Sequence, residues 1–413
     1  MPCPRTREGI LVSDREIHAF CCVCATLRCA DVAARPRSRC YSYRHLTPAT
    51  LSEAPEADRP KGHSLCQSVH ANGPRKPTVL KGFESMARYL VTGGAGFIGS
   101  HIVETLLKRG DSVRVLDNFS TGFRSNLETL GGAEVLEGDI RSYHIVREAV
   151  DGVDFVLHEA ALPSVPRSVR DPLTTNEVNV VGTLNLLRAA KDANVQRLVY
   201  ASSSSVYGRD SEQPKREAFA PRPISPYAVS KLAGEHYCRS FTDLYGFETV
   251  ILRYFNVFGP RQSPDSEYAA VIPRFITRML RREPPVVFGD GTQTRDFTFV
   301  ENVVLANLLA CERDRIGGQI FNIATSSPIS LLQLVEAIDS LVHAGVKPSF
   351  QPARTGDVPH SYASIAEAHH VLGYEPRVSF LDGLRATVAY LEKEMDGPRQ
   401  DRAGPRPVKL AAS

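Results

Sequence analysis

Tyr227 and Lys231, in the stretch "SPYAVSK", stand four residues apart. On a helix, residues i and i+4 share a face. A free tyrosine, with a pKa near ~10, is a poor base at neutral pH. A neighbouring ammonium favours its phenolate, and lowering the pKa by about three units takes roughly 4 kcal/mol of differential interaction. A pair tuned in this way could take the proton of a hydroxyl group. The same spacing equally describes a surface Tyr–Lys pair, so the chemistry needs a second signal elsewhere in the chain.

That signal is "TGGAGFIGSH", where Gly94, Gly96 and Gly99 fit G-x-G-x-x-G and Gly93, Gly96 and Gly99 fit G-x-x-G-x-x-G. Glycine there lets the backbone turn tightly and approach a pyrophosphate, and the following helix offers its free N–H groups and positive dipole end. The motif alone is weak, but it joins an apolar strand to a helix, and an acid ends the next strand. That acid is Asp117, 18 residues after Gly99. A carboxylate at this place accepts bonds from ribose hydroxyls and repels a 2′-phosphate, which favours NAD over NADP. The alternative for Asp117 is a plain turn aspartate in "LDNFSTG". Asp139 and Ile140, after the third strand, suit the adenine edge or simply end that strand. A bound nicotinamide ring, being positive, would further favour phenolate at Tyr227.

A third signal is "YASSSSVYG", residues 200–208. Serine-rich runs usually mark linkers, yet this one follows "QRLVYA", which reads as a buried strand. The carboxyl end of such a strand faces the ligand crevice of an open α/β sheet. Hydroxyls placed there can hold a substrate oxygen beside the tyrosine.

The elements that must carry these groups alternate. "RYLVTGG", "SVRVLDN", "AEVLEGD", "DFVLHEAA", "RLVYASS" and "ETVILRYFNVFG" read as strands. Helices are expected between them: "FIGSHIVETLLKRG", with Ile98, Ile102, Leu106 and Leu107 on one face and Gly110 as a stop, then "HIVREAVDG", "TTNEVNVVGTLNLLRAAKDAN" and "SPYAVSKLAGEHYCRSFTDLYG". The fold class is therefore α/β, a Rossmann-type doubly wound parallel sheet with a smaller C-terminal substrate-binding lobe. An NAD-binding domain is expected over residues 86–260. A lobe over 261–396, containing "SLLQLVEAIDSLVHAG", partly interleaves with it. No internal repeat is visible.

The 413 residues, 42% of them hydrophobic, suit two lobes, and a net charge of +3 with no basic stripe argues against a nucleic-acid partner. No apolar run approaches the ~18 residues of a membrane span. "HAFCCVCATL" lacks the marks of a signal peptide. Seven of the nine cysteines lie in the first 85 residues, and the body reads as a reduced, cytoplasmic protein. Residues 1–85 show no periodicity and read as a disordered or non-native extension, with Met86 an alternative start. Cys21, Cys24, Cys29 and His18 lack the paired spacing of a zinc site, and no metal is expected. The tail over 397–413 reads as disordered.

With "HEAALPSVPRSVRDP", "RYFNVFGPRQSP", "YAAVIPRF", "GDGTQTRDF" and "RTGDVPHSYAS" added to the stretches above, residues 88 to about 390 resemble the extended short-chain dehydrogenase/reductases. They are most similar to the UDP-sugar 4-epimerases, in particular the UDP-N-acetylglucosamine branch. The resemblance implies Ser203 as the catalytic hydroxyl, Tyr227 as acid/base and Lys231 as its partner, which also holds the nicotinamide ribose. It implies Phe97, Ile98, Asn118, Ala160 and Ala161 at the cofactor. For the UDP-sugar it implies Asn256 and Val271, Arg295 and Arg354 on the phosphates, Asp357 on a ribose and Phe288 under uracil. Arginine suits phosphate because its guanidinium bonds in bidentate fashion; Arg295 could instead pair with Asp296.

In this family Tyr227 would take the 4-hydroxyl proton while hydride passes from C4 to NAD. The 4-keto sugar turns over and both return, with no net redox change. Related dehydratases carry an acidic pair after the catalytic serine, and decarboxylases carry a glutamate at the second position. Ser204 and Ser205 stand here instead, which favours epimerisation. The resemblance places Ser361 where relatives restricted to glucose and galactose carry a tyrosine and Ala270 where asparagine is often found, leaving room for an N-acetyl group unless His360 or Tyr362 fills it. Two alternatives stay open. A UDP-glucuronate 4-epimerase would use Arg167 toward C6, and a non-catalytic NAD sensor would have no need of a base. The resemblance also implies a homodimer through helices near residues 175–193 and 226–245.

Overall fold

Leu90–Val91, Val115–Leu116, Val156–Leu157, Leu198–Val199 and Val250–Ile251 are neighbours in sequence, and all ten side chains are fully buried. In an extended chain neighbours point to opposite faces, so each of these strands is covered on both sides. That is the condition of a parallel sheet in an α/β fold. The strands are β1 (Arg88–Thr92), β2 (Ser112–Asp117), β3 (Glu134–Glu137), β4 (Phe155–His158), β5 (Arg197–Ser203) and β6 (Glu248–Tyr254). A seventh, Ile320–Ile323, joins beside β6, and the order across the sheet is Ile320–Ile323, β6, β5, β4, β1, β2, β3, every pair parallel. The structure is a computed structural model and describes residues 86–209, 212–264, 270–353 and 359–396. The cysteines and His18 before residue 85, Arg354, Asp357 and the tail lie outside the described residues.

One face packs Val91, Val115, Leu157, Val199 and Val250 against the helices Phe97–Arg109 and Val300–Glu312. The other packs Leu90, Leu116, Val156, Leu198 and Ile251 against Tyr143–Ala149, Gly182–Asp192 and Pro226–Tyr245. Gly110 closes the first helix with a φ of 85°. Because β1 lies between β2 and β4, the strand order reverses there, and the crevice outside those carboxyl ends is where such sheets bind ligands.

The helix expected over "TTNEVNVVGTLNLLRAAKDAN" is not uniform. It runs as Pro172–Asn176, a π-helical turn Glu177–Val181, and Gly182–Asp192. The wide turn aims the buried Asn179 at two neighbours. Its Oδ1 accepts from the Leu162 N–H at 2.8 Å and its Nδ2 donates to Ser230 Oγ at 3.0 Å. Such single wide turns are frequent at functional sites.

After β6 the chain builds a second core around Phe258, Phe275, Phe297, Phe299, Leu334, Ile338 and Leu384. Short strands frame it: Thr294–Asp296 pairs antiparallel with Pro328–Ser330 and parallel with His360–Ser361. The helix Leu331–Val342 opens with a capping box between Ser330 and Gln333. Among the described residues no helix is long and apolar enough to cross a membrane.

Candidate active site

The turn after β1 is built for close approach. Gly93 has a φ of 70°, and a Cβ on it would lie 2.7 Å from the Ala160 backbone nitrogen. A Cβ on Gly99 would lie 2.2 Å from the Gly93 carbonyl oxygen, so the helix can pass this near the turn only without a side chain. Gly96 is the N-cap and makes no side-chain capping bond, which leaves the N–H groups of the first turn, from Phe97 and Ile98 onward, free of a side-chain cap. A helix start of this kind receives a phosphate. The residues present therefore fit a dinucleotide.

Asp117 is buried at the end of β2 and does more than the sequence suggests. One oxygen accepts from the Ala95 N–H at 2.9 Å and the other from the Phe119 N–H at 2.8 Å. It thus ties the glycine turn to its own loop, while each oxygen keeps a lone pair for a ribose hydroxyl. Burial raises its carboxyl above the ordinary value, against those two backbone bonds. Asn118 donates to Asp139 at 2.9 Å. Burial pushes Asp139 up, but its hydrogen bonds with Arg141 outweigh this and the carboxyl titrates below the ordinary range. Ile140 is buried against Gly182, where an added Cβ would sit 2.6 Å from its side chain. Ala160 and Ala161 follow β4 and are half-buried, Ala160 beside Gly93.

The reactive groups meet at the ends of β4 and β5. Ser203 ends β5, and its Oγ accepts from the Ser205 N–H at 3.2 Å and the Ser205 hydroxyl at 3.0 Å. The run of serines is a strand end followed by the 3-10 turn Ser204–Tyr207. The long helix starts at Pro226, capped by Ser225, whose Oγ accepts from the Ala228 N–H. Tyr227 is half-buried in its first turn, and its N–H donates to Ser168 Oγ at 3.0 Å. Lys231, one turn on, is 4% exposed and its Nζ donates to the Ala201 carbonyl at 2.8 Å.

Burial pushes the Tyr227 phenol up to about 12; a hydrogen bond with Ser203 pulls it down and the Glu159 carboxylate pushes it further up. Burial pushes Lys231 down to about 8, with Glu159 acting in the opposite direction. In the protein alone the Lys231 ammonium donates to the β5 carbonyl of Ala201, and burial is the largest influence on the Tyr227 phenol.

A cavity of about 200 Å³ lies against the second core and is lined by Asn256, Ala270, Val271, Phe288 and Arg295, among others. Five of the residues expected at the substrate are therefore gathered there. Arg295 Nη1 bonds the carbonyls of Thr294 and Pro359 at 2.8 and 3.2 Å. Asp296 is not its partner; it is fully buried and accepts from Thr325, Ser326 and Ala363. Ser361 is directly opposite Arg295 in the parallel register. Arg167 lies half-buried on the short helix Val165–Arg170, next to Ser168.

The family model for the NAD dependent epimerase/dehydratase family matches residues 89–324. The chain belongs to that family. The cofactor of this family is NAD, and the UDP-glucose 4-epimerase of Thermus thermophilus, 39% identical over 74% of this chain with a TM-score of 0.67, is solved in complex with it. A putative UDP-glucose 4-epimerase of Methanocaldococcus jannaschii is 38% identical over 305 residues, 73% of this chain and 98% of that protein. The UDP-N-acetylglucosamine 4-epimerase of Methanobrevibacter ruminantium, solved with UDP-N-acetylmuramic acid, superposes with a TM-score of 0.72. Its identity is 38%, covering 75% of this chain and 99% of that one. A UDP-glucuronate 4-epimerase of Thermodesulfobacterium geofontis is 32% identical over 322 residues, 75% of this chain and 98% of that protein.

Sequence reasoning missed three residues of this site. Ser168 of "PSVPRS" holds the Tyr227 backbone, which only the folded contact reveals. Glu159 was passed over inside a strand motif, although an acid at the end of an apolar strand is a signal in itself. Glu235, at i+4 from Lys231, pairs with the buried Arg253 behind the serines.

Proposed function

We propose that this family member epimerises UDP-hexoses at C4, with UDP-N-acetylglucosamine and UDP-N-acetylgalactosamine as its pair and UDP-glucose and UDP-galactose as further substrates. The observation that carries the reading is the hydroxyl cluster of Ser203, Ser205 and Tyr227, with serine at both positions after Ser203. Without an acid at those positions, loss of water or carbon dioxide has no proton donor from that turn.

Ser205 donates to Ser203, so the Ser203 proton is free to point at Tyr227 or at a sugar oxygen. Tyr227 is the group that takes and returns the 4-hydroxyl proton. NAD, when bound, supplies the acceptor and donor of the C4 hydride. Lys231 holds the ribose side of the crevice, and its charge together with that of the ring opposes the burial that keeps Tyr227 protonated. Asn256, Phe288 and Arg295 hold the UDP end, with Arg354 and Asp357 assigned there from their motif. Small side chains at Ala270 and Ser361 leave volume for an acetamido group, since Ser361 faces the strand of Arg295.

We also propose a homodimer through the faces of Gly182–Asp192 and Pro226–Tyr245. The exposed Val229, Tyr237, Leu244 and Tyr245 of the second helix support it. The free thiols of Cys238 and Cys311 suit a reducing compartment such as the cytoplasm.

The test is to incubate the full chain separately with UDP-N-acetylglucosamine, UDP-glucose and UDP-glucuronate and to separate the 4-epimers by chromatography. Conversion of the first, lost in Tyr227→Phe, is expected. Conversion of UDP-glucuronate alone would move the reading to a uronate enzyme built on Arg167. No conversion of any, with NAD retained, would leave a cofactor-binding sensor.

A further inference from the structure

Glu159 is the first residue beyond β4, and its N–H donates to the Thr92 carbonyl at 3.1 Å. His158 is paired with Tyr200 in the parallel register, so Glu159 lies one step on, beside Ala201. Ala201 is the residue whose carbonyl holds the Lys231 ammonium. The Glu159 carboxylate accepts the Tyr254 hydroxyl at 2.7 Å. That hydroxyl in turn accepts from Asn307 Nδ2 at 2.8 Å, and Asn307 Nδ2 also donates to the Val303 carbonyl at 2.9 Å. The Val303 bond fixes the orientation of the amide. The Tyr254 oxygen therefore receives a proton from Asn307, and its own proton has Glu159 as its acceptor. The chain Asn307, Tyr254, Glu159 has one direction and ends on the carboxylate, whose charge acts on both Tyr227 and Lys231.

The other ionisable groups around the pair do not substitute for it. Tyr200 of β5 and Cys238 of the long helix are held neutral by burial. Glu235 is bonded to Arg253 and to Ser202. His158 is held neutral by burial, between two threonine hydroxyls. Burial raises the Glu159 carboxyl to about 7, against the Tyr254 bond and the Lys231 charge, so this group changes charge in the neutral range.

We propose that Glu159 is a positioning residue that sets the pH at which Tyr227 gives up its proton, while its charge supports the ammonium of Lys231. This rests on the reading of Tyr227 as the proton acceptor. The sign follows from charge. An ionised Glu159 opposes a second negative charge at Tyr227 and favours a positive one at Lys231. Removing the carboxylate must move both titrations toward lower pH.

The test compares the wild-type holoenzyme with Glu159→Gln, which retains an oxygen for Tyr254, and with Tyr254→Phe. Two readouts are needed. One is the near-ultraviolet absorbance of the Tyr227 phenolate, taken as the difference from Tyr227→Phe across pH, which needs no turnover. The other is the pH profile of kcat/KM. In Glu159→Gln the phenolate titration should fall by about one pH unit or more, as expected for a unit charge removed from a poorly solvated site. Both limbs of the activity profile should follow. Tyr254→Phe should move both readouts the same way, because an unsupported carboxylate takes a proton more readily. An unmoved phenolate titration in Glu159→Gln, or an equal loss of activity at every pH, would overturn the proposal. If Glu159→Gln fails to fold, the Tyr254→Phe titration decides alone. A shifted phenolate without turnover of any UDP-sugar would uphold Glu159 and discard the epimerase reading.

Discussion

Glu235 offers a measure of how firmly the helix that carries Tyr227 and Lys231 is held. It lies on the long helix one turn beyond Lys231, and both it and Arg253 of β6 have side chains 2% exposed. Arg253 donates from Nε at 2.9 Å and from Nη2 at 2.7 Å, and Ser202 donates from its hydroxyl at 2.5 Å. The guanidinium also lies 4.7 Å from the ring centre of Tyr207. Glu235→Ala would leave a buried cation and a buried hydroxyl without their acceptor. Breaking a buried pair from one side costs about 3–5 kcal/mol. At about 2 °C per kcal/mol for a chain of this size, the melting temperature should fall by roughly 6–10 °C. The chain has no tryptophan, so urea unfolding is best followed by far-ultraviolet circular dichroism. The double variant Glu235→Met with Arg253→Met removes both charges and should recover most of the loss. Ser202 precedes Ser203, so Glu235→Ala should also lower kcat by more than it raises KM. A cost below about 1 kcal/mol, or a double variant no more stable than the single one, would refute the reasoning. The first would mean the pair is solvated, the second that lost packing rather than an orphaned charge was measured.

Gly99→Ala should release the cofactor, because its Cβ would collide with the Gly93 carbonyl; NAD freed on denaturing equal amounts of protein measures this. Ser361→Tyr should lower kcat/KM for UDP-N-acetylglucosamine at least tenfold relative to UDP-glucose, a change of about 1.4 kcal/mol in selectivity. Equal losses for both sugars would show that the position does not gate C2. Leu244→Glu places a charge on a side chain that is 73% exposed in the single chain. Light scattering is expected to report a dimer for the unmodified protein and a monomer for this variant.

The strand ends were legible because buried parallel strands are nearly all apolar, so Ser203 and Asp117 stand out where they stop. Tyr227 and Lys231 were legible from their four-residue spacing at the start of a helical stretch. The wide turn at Glu177–Val181 was not, since one extra residue in a turn hardly disturbs an apolar pattern. The pocket residues Asn256, Ala270, Val271, Phe288 and Arg295 come from separate elements, and spacing alone does not join them. Resemblance did. How far the Tyr227 phenol is shifted was not legible for a physical reason. Sequence shows which charges are near in the chain, but not how much water burial removes, and burial is the largest influence on that phenol.

The return of Ile320–Ile323 to the edge of β6, midway through the segments that build the second core, bears on how such an enzyme changes over time. The second core, where we place the nucleotide end of the substrate, is no cassette that recombination could lift out and replace, because excising its span would also strip the central sheet of a strand carrying the buried Phe321 and Ile323. New substrates have to be acquired in place, one side chain after another, on an inherited frame. A lineage of these proteins would then drift among sugars through positions such as Ala270 and Ser361 while its central sheet stayed the same.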